Sequence, residues 1–142
     1  MKNIFILLFS FLTLSSCVSD DFYNDSPYLP YAPVDISIRL TDWEFRDLMH
    51  QDGAVFIDDG YSGLQGIIIF NTGRNEFRAY DAACPNHPIR NCSTLQFDGT
   101  LLYCTCENDE FSMRTGRPLQ SFGYPLREYP VTTFGSILEV HN

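Results

Sequence analysis

The side chains with chemistry to offer gather between positions 84 and 107: Cys84, His87, Cys92, Cys104, Cys106 and Glu107. Thiolates and imidazoles suit zinc and iron–sulfur centres, whereas a carboxylate is a harder donor. In an oxidising compartment the same thiols would close disulfides. Four cysteines allow three pairings. A Cys104–Cys106 bridge would have to close across one residue, where disulfide geometry is strained, and two pairings stay open. A Cys₄ zinc site is disfavoured, because the usual C-x₂₋₄-C pairs are absent. His87 precedes Pro88 and is expected as a turn or surface histidine, with metal ligation as the alternative. His50 and His141 stand alone and are expected at the surface. No Ser-His-Asp set or phosphate loop occurs, so no catalytic residue is assigned and no enzymatic activity is expected.

The first stretch, MKNIFILLFSFLTLSSC, sets the expected compartment. Lys2 supplies a short positive region, and Ile4 to Leu14 form an apolar segment too short to span a bilayer and suited to a secretory signal. Leu14-Ser15-Ser16-Cys17 resembles the lipobox of bacterial lipoproteins, which implies acylation of Cys17 and cleavage just before it. Several acyl chains on one residue suffice for stable anchoring. "VSDDFYND" resembles a lipoprotein surface-export signal, and Val18 is not the aspartate that favours inner-membrane retention. The expectation is an outer-membrane lipoprotein, exposed at the cell surface, with the membrane and other envelope proteins as partners. The formal net charge of -9 argues against nucleic-acid binding, which needs a basic footprint.

Residues 1–16 are thus read as signal, 17–33 as lipidated cysteine and tether, and 34–142 as one domain. Pro27, Pro30 and Pro33 keep the tether extended. "VDISIRL" alternates apolar and polar residues, the period of a half-buried strand. "AVFID", "GIIIF" and "EFRAYD" are strand-like, with "NTGRN" as the turn between the last two. "TLQFDGTLLYC" reads as a hairpin about Asp98-Gly99, and "REYPV" and "SILEV" close the chain. "TDWEFRDLMHQDG" is ambiguous: Phe45, Leu48 and Met49 would make one helical face, with Asp42 as N-cap. "ENDE" reads as a solvated acidic loop tip. Many short strands and little helix predict an all-β antiparallel barrel or sandwich.

From about Val34 to Val140 the chain resembles the Rieske family, whose 2Fe-2S cluster is held by two thiolates on one iron and two imidazoles on the other. "AYDAACP" looks like the strand leading into the first cluster loop, with Cys84 at the first ligand cysteine. Cys104 takes the second, with Phe111 seven residues on and Gly116 five beyond that, as in the family. "GYPLREYPV" resembles the proline loop that covers the cluster. The resemblance implies a two-loop cluster-binding subdomain. It also implies histidines where this chain has Asn86 and Glu107.

With both imidazoles replaced, the expected state is a degenerate site without metal or cofactor. The domain would then be a binding or structural module. The resemblance further implies a Cys92–Cys106 bridge between the loops, with Cys84 and Cys104 left facing each other to oxidise. The alternative is an electron-transfer protein that keeps a 2Fe-2S cluster on Cys84, His87, Cys104 and Glu107.

Overall fold

Ten β-strands and one short 3-10 segment make up the regular structure in the computed structural model, which describes residues 26–142. The expected signal and Cys17 lie outside the described residues. In chain order the strands are β1 (Asp35–Arg39), β2 (Ala54–Ile57), β3 (Ile67–Gly73), β4 (Glu76–Asp81) and β5 (Gln96–Asp98). They continue with β6 (Leu101–Cys104), β7 (Asp109–Ser112), β8 (Glu128–Tyr129), β9 (Val131–Phe134) and β10 (Ile137–His141). They form three antiparallel sheets, ordered β1-β10-β9, β2-β3-β4-β8 and β5-β6-β7. The all-β antiparallel expectation holds.

The sheet containing β3 is the middle layer, and its sequence shows why. "GIIIF" is a continuous apolar run, as a strand covered on both faces requires. Ile67 and Ile69 face one core with Ile36, Ile38, Leu138 and Val140 of the first sheet. Ile68 and Phe70 face the other core, with Leu102 and Phe111 of the small third sheet and Met113 just after it. Cys84 and Cys104 belong to that second core. By contrast, β1 and β10 alternate buried and exposed residues, the mark of a sheet covered on one face.

Turn chemistry sets the registers. Arg74 and Asn75 both adopt positive φ between β3 and β4, which suits a tight two-residue hairpin. Asp98 pairs with Leu101, so Gly99 and Thr100 make the β5–β6 turn, with Gly99 at φ 60°.

Three expectations are corrected. The ambiguous stretch forms a 3-10 segment, Trp43–Met49; Leu48 is buried, Met49 is exposed, and Asp42 makes no side-chain cap. The expected tether is packed from Ser26 onward: Leu29 and Ala32 are buried, and the Ser26 hydroxyl donates to the Pro85 carbonyl. The "ENDE" tip is partly strand, because Asp109 and Glu110 open β7 and Asp109 is buried.

Candidate functional site

Two loops of the small lobe carry the site. The first joins β4 to β5. Its base is closed by an Ala83–Thr94 bridge and by the Cys84 and Leu95 amides, which donate to the Ser93 and Ala82 carbonyls at 2.9 and 2.7 Å. The second is the tight β6–β7 turn, where Cys104 pairs with Asp109 and Asn108 adopts φ 58°. A disulfide, Cys92–Cys106, joins the loops, with a Cα separation of 5.2 Å. The Thr105 hydroxyl adds a bond to the Cys92 carbonyl at 3.1 Å.

Cys84 and Cys104 are free thiols with no exposed surface. The expected bridge between them is not formed. The third member of the group is His87, which is only 3% exposed and sets Nε2 3.2 Å from the Cys104 Sγ. The surface position expected for His87 is therefore corrected. The ligand atoms of Cys84, His87 and Cys104 all lie within 4.8 Å of one another. Together they are a group able to hold a metal.

The imidazole is oriented. Nδ1 lies 2.9 Å from the Pro88 carbonyl, which can only accept, so Nδ1 carries hydrogen and Nε2 turns to the sulfur. The two thiols have opposed acidities. Cys104 is pulled well below an ordinary thiol, first by its hydrogen bond with Cys84, against burial, and then by His87 and the Cys106 amide. Cys84 is pushed up by the same bond with Cys104 and by burial. The pair thus favours one shared proton, with the negative charge on the sulfur that faces His87. Burial disfavours the charged form of His87, but its Pro88 and Cys104 bonds outweigh that and raise its pKa.

Asn86 and Glu107, where the family resemblance implies imidazoles, do other work. Asn86 donates through Nδ2 to the Asp109 carboxylate at 2.7 Å and accepts the Tyr124 amide at 2.8 Å. It ties the first loop to β7 and to the proline-containing loop above. Gly123 is needed there: at φ 107°, a Cβ would stand 2.8 Å from the Asn86 amide nitrogen. Glu107 turns to solvent and pairs with Arg90 at 3.0 Å. Glu107 is therefore not in the group, contrary to the four-ligand alternative. Neither Asn86 nor Asp109 was assigned a role from sequence; the Cys84-x-x-His87 spacing was the one available signal for His87.

No protein-family model and no curated protein matches the chain. Among solved structures, it is similar to a quaternary ammonium Rieske monooxygenase, with a TM-score of 0.51 and 11% identity. That match covers 77% of this chain and 31% of the other. It is also similar to the ferredoxin of carbazole 1,9a-dioxygenase from Nocardioides aromaticivorans, at TM-score 0.48 and 21% identity, covering 78% of this chain and 97% of that one. A chain from the oxygenase–ferredoxin complex of carbazole 1,9a-dioxygenase gives 0.47 and 22%, covering 65% and 82%. At these identities the likeness concerns fold: the domain is Rieske-like and all-β.

A Rieske cluster needs two imidazoles on its second iron. The described residues supply one: His50 caps the 3-10 segment and His141 lies on β10, both exposed. The one imidazole present already touches the Cys104 sulfur, where a cluster would have to separate them. The donor set does not fit a Rieske 2Fe-2S centre.

Proposed function

We propose that this chain is an envelope lipoprotein, anchored to the outer membrane through Cys17, whose Rieske-like domain serves as a binding or structural module in place of electron transfer. The observation that carries this reading is the reuse of the two ligand positions: Asn86 braces three segments and Glu107 pairs with Arg90 in solvent. The loops are then a rigid platform. They are held by the Cys92–Cys106 bridge and by the Asn86 bonds; Ile89 on the first loop and Leu119 and Phe122 on the segment between β7 and β8 are exposed apolar side chains, the last 72% exposed. Such residues on a rigid rim are what protein contacts are made from. Only nine positions separate Cys17 from Ser26, a reach of at most about 32 Å fully extended, so an anchored domain would stay close to the membrane.

The test is iron and acid-labile sulfide per chain in freshly exported protein, with the visible absorption spectrum. A colourless, sulfide-free protein is expected. Stoichiometric iron and sulfide, with a paramagnetic reduced state, would refute the reading and establish the electron-transfer alternative.

A further inference from the structure

We propose that Cys84, His87 and Cys104 bind one zinc ion, with three protein ligands and the fourth position left to a small exogenous ligand. This goes beyond the preceding reading, which concerns only the loss of the two-iron cluster.

Size is the first argument. Zinc–sulfur bonds of about 2.3 Å and zinc–nitrogen bonds of about 2.0 Å place tetrahedral ligand atoms roughly 3.5–3.8 Å apart. The three ligand atoms here already lie within 4.8 Å of one another, so a single ion needs only small side-chain adjustments. The 3.2 Å contact between His87 and Cys104 would open slightly to admit it.

Preparation is the second. A metal-bound histidine usually donates its other N–H to a carbonyl or carboxylate, which fixes the ring and its tautomer. Nδ1 of His87 makes that bond to Pro88 at 2.9 Å and turns Nε2 into the group. The loops that hold the ligands are fixed by contacts independent of any metal: the Cys92–Cys106 bridge and the Asn86 bonds to Asp109 and Tyr124.

Charge decides the kind of ion. All three ligands are at most 3% exposed, and net charge is costly at such a place. Two thiolates and a neutral imidazole cancel the charge of a divalent cation, whereas copper(I) would leave one negative charge buried. Two sulfurs and one nitrogen are also a donor set that zinc accepts and that calcium or magnesium does not.

The test uses the full chain purified after export without reductant, so that Cys92 and Cys106 stay bridged. The protein is stripped with a chelator and titrated with zinc(II), then with cobalt(II) as a coloured substitute. One zinc per chain is expected, and the cobalt form should show thiolate-to-metal charge transfer. Loss of an outer-shell partner of a metal site alone costs about 10–100-fold in affinity, so Cys104→Ser and His87→Gln should each weaken zinc binding by at least about 100-fold. Glu107→Gln should leave it unchanged. Bound zinc should also protect Cys84 and Cys104 from a thiol-alkylating reagent. A freshly exported chain with a Cys84–Cys104 disulfide would overturn the proposal. So would a parent protein that takes up no more zinc than His87→Gln. In either case, absence of iron and sulfide would leave the preceding reading intact. Stoichiometric iron and sulfide would overturn both.

Discussion

Opening the Cys92–Cys106 bridge should cost the domain about 3 kcal/mol. The two cysteines are 14 positions apart, and closing a loop of that length in the unfolded chain removes roughly 3 kcal/mol of chain entropy. Little else in the folded protein should change. Thr105 still reaches the Cys92 carbonyl, and Asn86 still ties the loop to β7. The exposed Arg90–Glu107 pair spans the same gap but contributes at most about 1 kcal/mol, too little to offset the loss. The variant Cys92→Ala/Cys106→Ala should therefore fold, with a melting temperature roughly 10–15 °C lower. The assay is urea unfolding of parent and variant, followed by near-ultraviolet circular dichroism, with chelator present to exclude bound metal. The midpoint should fall, and the denaturant slope should rise slightly, because the unfolded variant is less compact. Thiol titration of the unfolded parent should find the two free cysteines of the described region, Cys84 and Cys104. Stabilities equal within about 0.5 kcal/mol, with the parent bridge shown to be closed, would refute the entropic argument.

Other expectations concern the middle sheet and the anchor. Asp81 is fully buried and accepts from the Leu64 and Ala83 amides and the Tyr129 hydroxyl at 2.8–2.9 Å. Asp81→Ala leaves those donors unpaired and should lower unfolding free energy by about 3 kcal/mol or more, measured as a urea-midpoint shift at constant slope. Burial pushes the Tyr80 phenol up to about 12 from 10.0, and its hydroxyl donates to the Met113 carbonyl at 2.8 Å. A raised folded-state pKa means that the unfolded chain loses this proton first. The contribution is intact below pH 10 and fades as pH rises toward 12. About 1.4 kcal/mol should be gone by pH 11, and Tyr80→Phe should show a correspondingly shallower alkaline loss. Cys17→Ala should release the protein from the membrane fraction and abolish palmitate labelling; unchanged labelling would refute the lipoprotein reading.

Much of the fold was legible in the sequence because its signals are local. Alternation in "VDISIRL" marked the one-sided strand β1, and "GIIIF" read as strand-like and became β3, whose cover on both faces the structure supplied. Asp98-Gly99 located a turn that the structure places one residue later, at Gly99 and Thr100. The two facing loops were implied by the family resemblance that Cys84 and Cys104 carry. What those loops do with their side chains was not legible. His87 meets Cys104 across 17 positions, Asn86 meets Asp109 across 23, and Tyr124 meets Asn86 across 38. A histidine before a proline is by itself a turn residue; here it is a buried imidazole beside the Cys104 sulfur of β6. Glu107 is adjacent in sequence to a bridged cysteine but points outward, where Arg90 is available. Asp109 reads as the tip of an acidic loop until pairing with Cys104 draws it into β7. Strand period and turn chemistry are properties of neighbouring residues, so sequence determined the elements. The partner of a loop side chain depends on how separate loops meet over the lobe core, and only the tertiary structure decided that Cys84, His87 and Cys104 form one group.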